Sequence, residues 1–162
     1  MIGYLYFLTN LYPMEIDKVI KQARFKDSYQ KAIVNLLYTS NYLRDIHLPI
    51  FKKYDIQGQH YNLLRILKGK YPEPVTPGYI KEVMLDKGTD LTRLIDKMQK
   101  RGWIERKTCV HNKRQMDVTI TELGIAKLKL ISEEVAVQDE LHKNMSEEDY
   151  EALSHLLDKM RG

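Results

Sequence analysis

Between Thr76 and Thr121 the hydrophobic period of the chain changes once, from helical to strand-like, with no linker between the two regimes. Thr76-Pro77 reads as a helix start, a hydroxyl cap followed by proline at the first helical position. Ile80, Val83 and Met84 give that short helix an apolar face, and Asp86-Lys87-Gly88 reads as a tight turn. Thr89 is the expected cap of a second helix. There Leu91, Leu94, Ile95 and Met98 fall at i, i+3, i+4 and i+7 as one buried stripe, and Gly102 ends it. Residues 103–109 and 115–121 then read as strands, with Ile104, Val118 and Ile120 as inward positions. Two short helices about a glycine-containing turn have helix-turn-helix spacing, and a hairpin directly after the second helix is a wing.

The flanks are helical. Residues 17 to about 54 read as one helix with Val19, Ile33, Leu36, Leu37 and Leu43 as core candidates, kinked or split near its end by Pro49. Residues 56–67 give a further helix with Leu63, Leu64 and Leu67 inward, and KGKYPEPV reads as a loop. Thr121 caps a long helix with Leu128, Ile131 and Val135 on one face. Ser146 caps a last helix whose first turn holds three acidic residues, where the helix dipole favours them. Leu153, Leu156, Leu157 and Met160 form its stripe, and helices this amphipathic need a partner, from their own domain or from a second chain. The expected organisation is an uncharged apolar extension over residues 1–13 without the basic start of a secretory signal, and an N-terminal helical dimerisation region over 14–54. A winged helix-turn-helix region over 55–121 and a C-terminal helical dimerisation region over 122–162 follow. The fold class is mainly α with a small β-hairpin wing.

Charge separates these parts. The total of +4 over 162 residues is mild. Between Arg93 and Arg114, however, eight basic residues stand against Asp96 and Glu105, a net +6. Residues 125–162 carry nine acidic and five basic residues, a net −4. A basic stretch is ordinarily a solvated face, so the structure that carries it decides its meaning. Arg93, Lys97 and Lys100 share a face of the second helix away from the apolar stripe. Thr89, Asp90 and Thr92 lie at its N-terminal end, where a recognition helix meets base edges. The turn between the strands is tipped by His111, Asn112, Lys113 and Arg114, placed to follow phosphates or enter a minor groove.

The runs TPGYIKEVMLDKGTDLTRLIDKMQKRGWIER and HNKRQMDVTITELG, with QGQHYNLLRIL before them, resemble the MarR family of bacterial winged-helix transcription regulators. The likeness is densest from Ile56 to about Leu128. Where the family commonly has an Asp-Arg-Arg type sequence in the wing, this chain has Asn112-Lys113-Arg114, which keeps the positive charge and loses a carboxylate. The resemblance implies a cytoplasmic homodimer that binds a pseudo-palindromic operator in double-stranded DNA as a repressor and responds to a small aromatic ligand. On this reading Thr76, Thr89, Asp90, Thr92, Arg93, Lys97, Lys113 and Arg114 contact DNA. A winged-helix module that binds protein rather than DNA is the alternative, and the basic face of the second helix argues against it.

Other chemistry has little in its favour. The single Cys109 makes no internal disulfide, and a lone cysteine on a strand reads as a small buried hydrophobe before it reads as a sensor. His47, His60, His142 and His155 lack metal-ligand spacing. There is neither a glycine-rich phosphate loop nor a Gly-x-Ser-x-Gly elbow, so no enzyme, cofactor or metal is expected. No apolar run approaches the ~18 residues of a membrane span. The tyrosines, Tyr38, Tyr42, Tyr54 and Tyr61 among them, are core residues or the lining of a ligand pocket.

Overall fold

Ile104, Val118 and Ile120 are buried to 2% exposure or less, so the hairpin does turn one face inward. In the computed structural model, which describes residues 15–22, 24–108, 116–139 and 143–162, strands β1 (Ile104–Thr108) and β2 (Met116–Ile120) pair antiparallel, with Ile104 opposite Ile120 and Arg106 opposite Val118. Val75 adds one antiparallel bridge on the far side of β2: its N–H donates to the Val118 carbonyl at 3.0 Å and its carbonyl accepts from the Val118 N–H at 2.8 Å. The helices are α1 (Ile16–Val19), α2 (Ser28–Lys53), α3 (Gly58–Lys70), α4 (Pro77–Val83), α5 (Leu91–Lys100), α6 (Glu122–Gln138) and α7 (Glu147–Arg161).

The chain divides into two units at Asp45/Ile46. Residues 17–54 do not form one helix. The short α1 is separate from α2, and the Asp27 carboxylate accepts from the Gln30 N–H at 2.7 Å near the start of α2. Lys31 pairs with Asp17 at 3.8 Å. Proline 49 lacks the N–H that would bond four residues back, yet α2 continues through it to Lys53 rather than splitting.

The second unit is built around one cluster. Leu63, Leu64 and Leu67 of α3, Ile80 and Met84 at α4, Leu94, Ile95 and Met98 of α5 and the inward face of the hairpin pack with Leu128 and Ile131 of α6. Against expectation Val83 is exposed: α4 ends there and its inward turn is completed by Ile80 and Met84. Helix α3 also runs three residues further than expected, to Lys70, taking in the first part of the lysine-rich loop. Lysine at a helix C-terminus meets the negative end of the dipole.

Caps fix the entries. Thr76 Oγ1 accepts from the Tyr79 N–H at 3.1 Å, Thr121 Oγ1 from Gly124 at 3.0 Å and Ser146 Oγ from Asp149 at 3.2 Å. Gly124 is required by space: a Cβ there would lie 2.0 Å from the Trp103 carbonyl oxygen and 2.8 Å from Ile120 Cγ1. His60 is the buried polar residue of the described core at 6% exposure. Its Nδ1 accepts from the Gln57 N–H at 3.1 Å, closing the start of α3. Burial, then the charges of Lys97 and Arg101, hold its pKa below the usual imidazole range.

Two outcomes are expected in denaturant titrations. Gly124→Ala forces a methyl into backbone and lowers stability by about 3 kcal/mol, while Gly69→Ala, with open space around its Cβ, raises it by ~0.5–1 kcal/mol. A histidine with a depressed folded-state pKa stabilises fully above its unfolded value of about 6.5 and loses that contribution as pH falls toward the folded value. Wild-type stability therefore falls more between pH 7.5 and 5.5 than that of His60→Gln, whose amide oxygen still accepts at this helix position.

Candidate nucleic-acid interface

Helix α5 buries Leu94, Ile95 and Met98 and leaves Thr92, Arg93, Gln99 and Lys100 exposed. The turn before it is held by its own lysines. Lys81 Nζ donates to the carbonyls of Lys87 and, at 2.9 Å, Thr89, and Lys87 Nζ donates to the Glu82 carbonyl. The Gly88 N–H donates to Asp86 at 2.9 Å. The Gln59 amide and that N–H hold the Asp86 carboxyl below its usual range. The cap of α5 is Asp90 rather than Thr89. Asp90 accepts from the Arg93 N–H at 3.2 Å, and a carboxylate both completes the first turn and meets the positive end of the dipole.

The far end of α5 is tied to the corner between α2 and α3. Arg101 donates to the Tyr54 carbonyl at 2.7 Å and to the Asp55 carboxylate, and Lys97 Nζ lies 3.3 Å from the same carboxylate. Lys97, then Arg101 among the charges, lowers the Asp55 pKa below the usual carboxylate range. The corner itself is held to α6, where Glu134 meets Lys53 at 2.7 Å and accepts from the Tyr54 hydroxyl.

The expected contact residues therefore separate by geometry. Arg93 is open, its side chain 89% exposed and paired only at the surface with Asp90, 3.2 Å away. Thr92 is exposed beside it. Lys97 shares their helix but leans onto Asp55. The Thr89 hydroxyl oxygen is buried, and Thr76 and Asp90 are occupied as caps. Lys113 and Arg114, with Cys109 and His111, lie outside the described residues; β1 is described to Thr108 and β2 from Met116. Sequence reasoning missed Asp55, Arg101, Gln99 and Arg106. Asp55 and Arg101 are 46 residues apart in the chain, and no local pattern joins them.

A cleft of about 650 Å³ opens beside the start of α5, with Lys52, Asp55, His60, Thr89, Arg93 and Lys97 in its walls. Among the described residues no three His, Cys, Asp or Glu side chains group as metal ligands, and no helix is long and apolar enough to cross a membrane.

Known proteins share this arrangement. The family model described as MarR family matches residues 54–115, the stretch from the α2–α3 corner to the hairpin turn. The HTH-type transcriptional regulator PecS of Dickeya dadantii is 22% identical over 154 residues, covering 91% of this chain and 93% of its own. A MarR transcription factor from Planctomyces limnophilus is 29% identical with a TM-score of 0.64, over 85% of this chain and 98% of that one. The S. aureus MepR–DNA complex, at 19% identity, is a likeness of fold, with a TM-score of 0.71 over 85% and 97% of the two chains. With helix-turn-helix, hairpin and flanking helices in the same order, this chain is similar to the winged helix-turn-helix transcription regulators of the MarR family, whose model matches its residues 54–115.

Proposed function

We propose that the protein is a sequence-specific DNA-binding regulator that acts as a homodimeric repressor on a pseudo-palindromic operator. The observation that carries this reading is the outer face of α5. Thr92, Arg93 and Lys100 point to solvent from a helix whose other side is core and whose far end is tied to Asp55. An anchored helix with a polar, basic face and a hairpin beside it is the geometry that reads a major groove and an adjacent minor groove. Arg93 and Thr92 read base edges, with Thr89 and Asp90 at the same helix end; Lys97 reaches phosphate by exchanging the Asp55 carboxylate for it, Thr76 marks the first helix where it crosses the backbone, and Lys113 and Arg114 act from the wing. MepR, which shares the fold, is seen in complex with DNA.

Two further parts of the reading rest on other surfaces. Among the described residues the stripes of α2 and α7 are open over part of their length: Leu37 is 59% and Leu156 60% exposed, and α7 has no buried residue. A second copy covers them, and brings two α5 helices to half-sites about 34–36 Å apart. The cleft beside α5 suits a small aromatic ligand, its apolar floor at Ile56 and Leu94 and its cations at Lys52 and Arg93.

Selection of duplexes from a random-sequence pool, followed by capture of the protein's own promoter region, tests the reading. Enrichment of a two-fold symmetric site supports it, and recovery of no preferred site overturns it in favour of a protein-binding module. Arg93→Ala is expected to cost ~1–3 kcal/mol and to relax preference at one position of each half-site, whereas Lys113→Ala with Arg114→Ala weakens all sequences alike and reduces the salt slope by about one unit per contact. In size-exclusion chromatography the wild type elutes as a dimer, and Leu156→Asp with Leu153→Asp shifts it to monomer while the circular dichroism of the fold is kept.

A further inference from the structure

Arg106 stands where the pleat calls for an apolar residue. Alternate residues of a strand share a face, and Ile104, two residues earlier, is 2% exposed, while Val118, directly across the ladder from Arg106, is wholly buried. The inward side of β1 is therefore the side that meets α5. The arginine placed there is not left unpaired. Its Nη2 lies 2.7 Å from Asp96 Oδ1 and its Nε donates to Gln99 Oε1. Asp96 and Gln99 are three apart on α5, stacked on one strip of the helix together with Thr92 at its start. One planar guanidinium thus spans about one turn of α5 from the first strand of the hairpin, with its side chain 29% exposed.

We infer that Arg106 is a positioning residue for DNA binding: the guanidinium sets the spacing between α5 and the hairpin, and so lets one protomer engage a major groove and the neighbouring minor groove together. The inference rests on the DNA-binding reading above. Three points carry it. The tie joins the two elements that approach DNA, whereas Asp55 ties α5 only to the corner behind it. Asp96 lies on the strip of α5 that faces the hairpin, and Arg106 neutralises that carboxylate. The fork geometry matters, because a lysine is a point charge and meets one acceptor well, where arginine meets two.

A purely structural role is separable from positioning. Arg106→Met keeps the length and suits the inward face, and although it removes only one partner of the pair, the carboxylate it leaves is not a buried charge, so the fold tolerates it. Asp96, 43% exposed, stays solvated. The probe is a duplex selected from a random-sequence pool by the wild-type protein. Guanine N7 methylation protection reports the major groove, and hydroxyl-radical protection of the flanking sugars reports the wing. With Arg106→Met, the midpoint of thermal unfolding holds while N7 protection persists, the flanking protection is lost, and affinity falls roughly tenfold with a shallower salt dependence. Arg106→Lys gives the same loss in smaller measure. A wild-type footprint with Arg106→Met overturns the inference and leaves the DNA-binding reading intact, as does loss of both protections together at unchanged stability. Should Arg106→Met fail to fold, Gln99→Ala, an exposed truncation that removes one of the two acceptors, is read by the same footprint, and unchanged flanking protection there overturns the inference. If the wild type selects no duplex, the DNA-binding reading itself fails and this inference goes with it.

Discussion

Four elements meet at the Trp103 carbonyl. The Trp103 N–H closes the end of α5 by donating to Met98 at 3.1 Å, and its carbonyl accepts from the Thr121 N–H at 3.0 Å, where β2 hands over to α6. The Thr121 hydroxyl donates to the Gly102 carbonyl at 2.7 Å while accepting from Gly124 as a helix cap. Gly102 takes the left-handed conformation, φ 69°, that lets α5 reverse into β1, a backbone region that costs glycine nothing and other residues about 1 kcal/mol or more. Helix end, strand start, strand end and helix start are thus fixed within a few ångströms of one peptide group. The outer face of α5 and the axis of the hairpin follow from it.

The parts of this frame that depend on neighbours in sequence were legible there. Period and burial agree for Leu94, Ile95 and Met98, and for Ile104, Val118 and Ile120, because each set lies on one element with a single face to hide. Thr76, Thr121 and Ser146 cap as their positions imply. Legibility stops where a residue's partner is remote or absent. Arg106 reads as one more member of a basic run, and nothing near it in sequence says that it points inward. Asp90 takes the cap from Thr89 because both residue types suit the position and the turn geometry decides between them. Leu36, Leu37, Leu153 and Leu156 keep a helical spacing that is visible in the sequence, yet each stays exposed among the described residues.

Charge, too, is organised differently from its linear sum. From Arg93 to Lys107 the basic stretch is largely met within the protein: Arg93 by Asp90, Lys97 and Arg101 by Asp55, Arg106 by Asp96 and Lys107 by Glu105. Among the described residues of that stretch Lys100 has no ion pair. Exposed pairs of this kind are worth little, about 0–1 kcal/mol. The pairs of Arg93 and Lys97 therefore separate at small cost, whereas Arg106, with two acceptors and a half-covered side chain, is held more firmly. The same net charge thus divides into cations that can change partner and a cation that holds the frame.

Trp103 is the single tryptophan of the chain, and it is 6% exposed with the Arg101 guanidinium 5.2 Å over its ring. Its backbone is the junction of the four elements, and its indole lies under the arginine that ties α5 to Asp55. The molecule therefore carries one indole fluorophore at the junction of α5 and the hairpin. A small rotation of α5 against the hairpin moves a cation across the face of that ring, and the emission of one side chain reports how the two elements stand to each other.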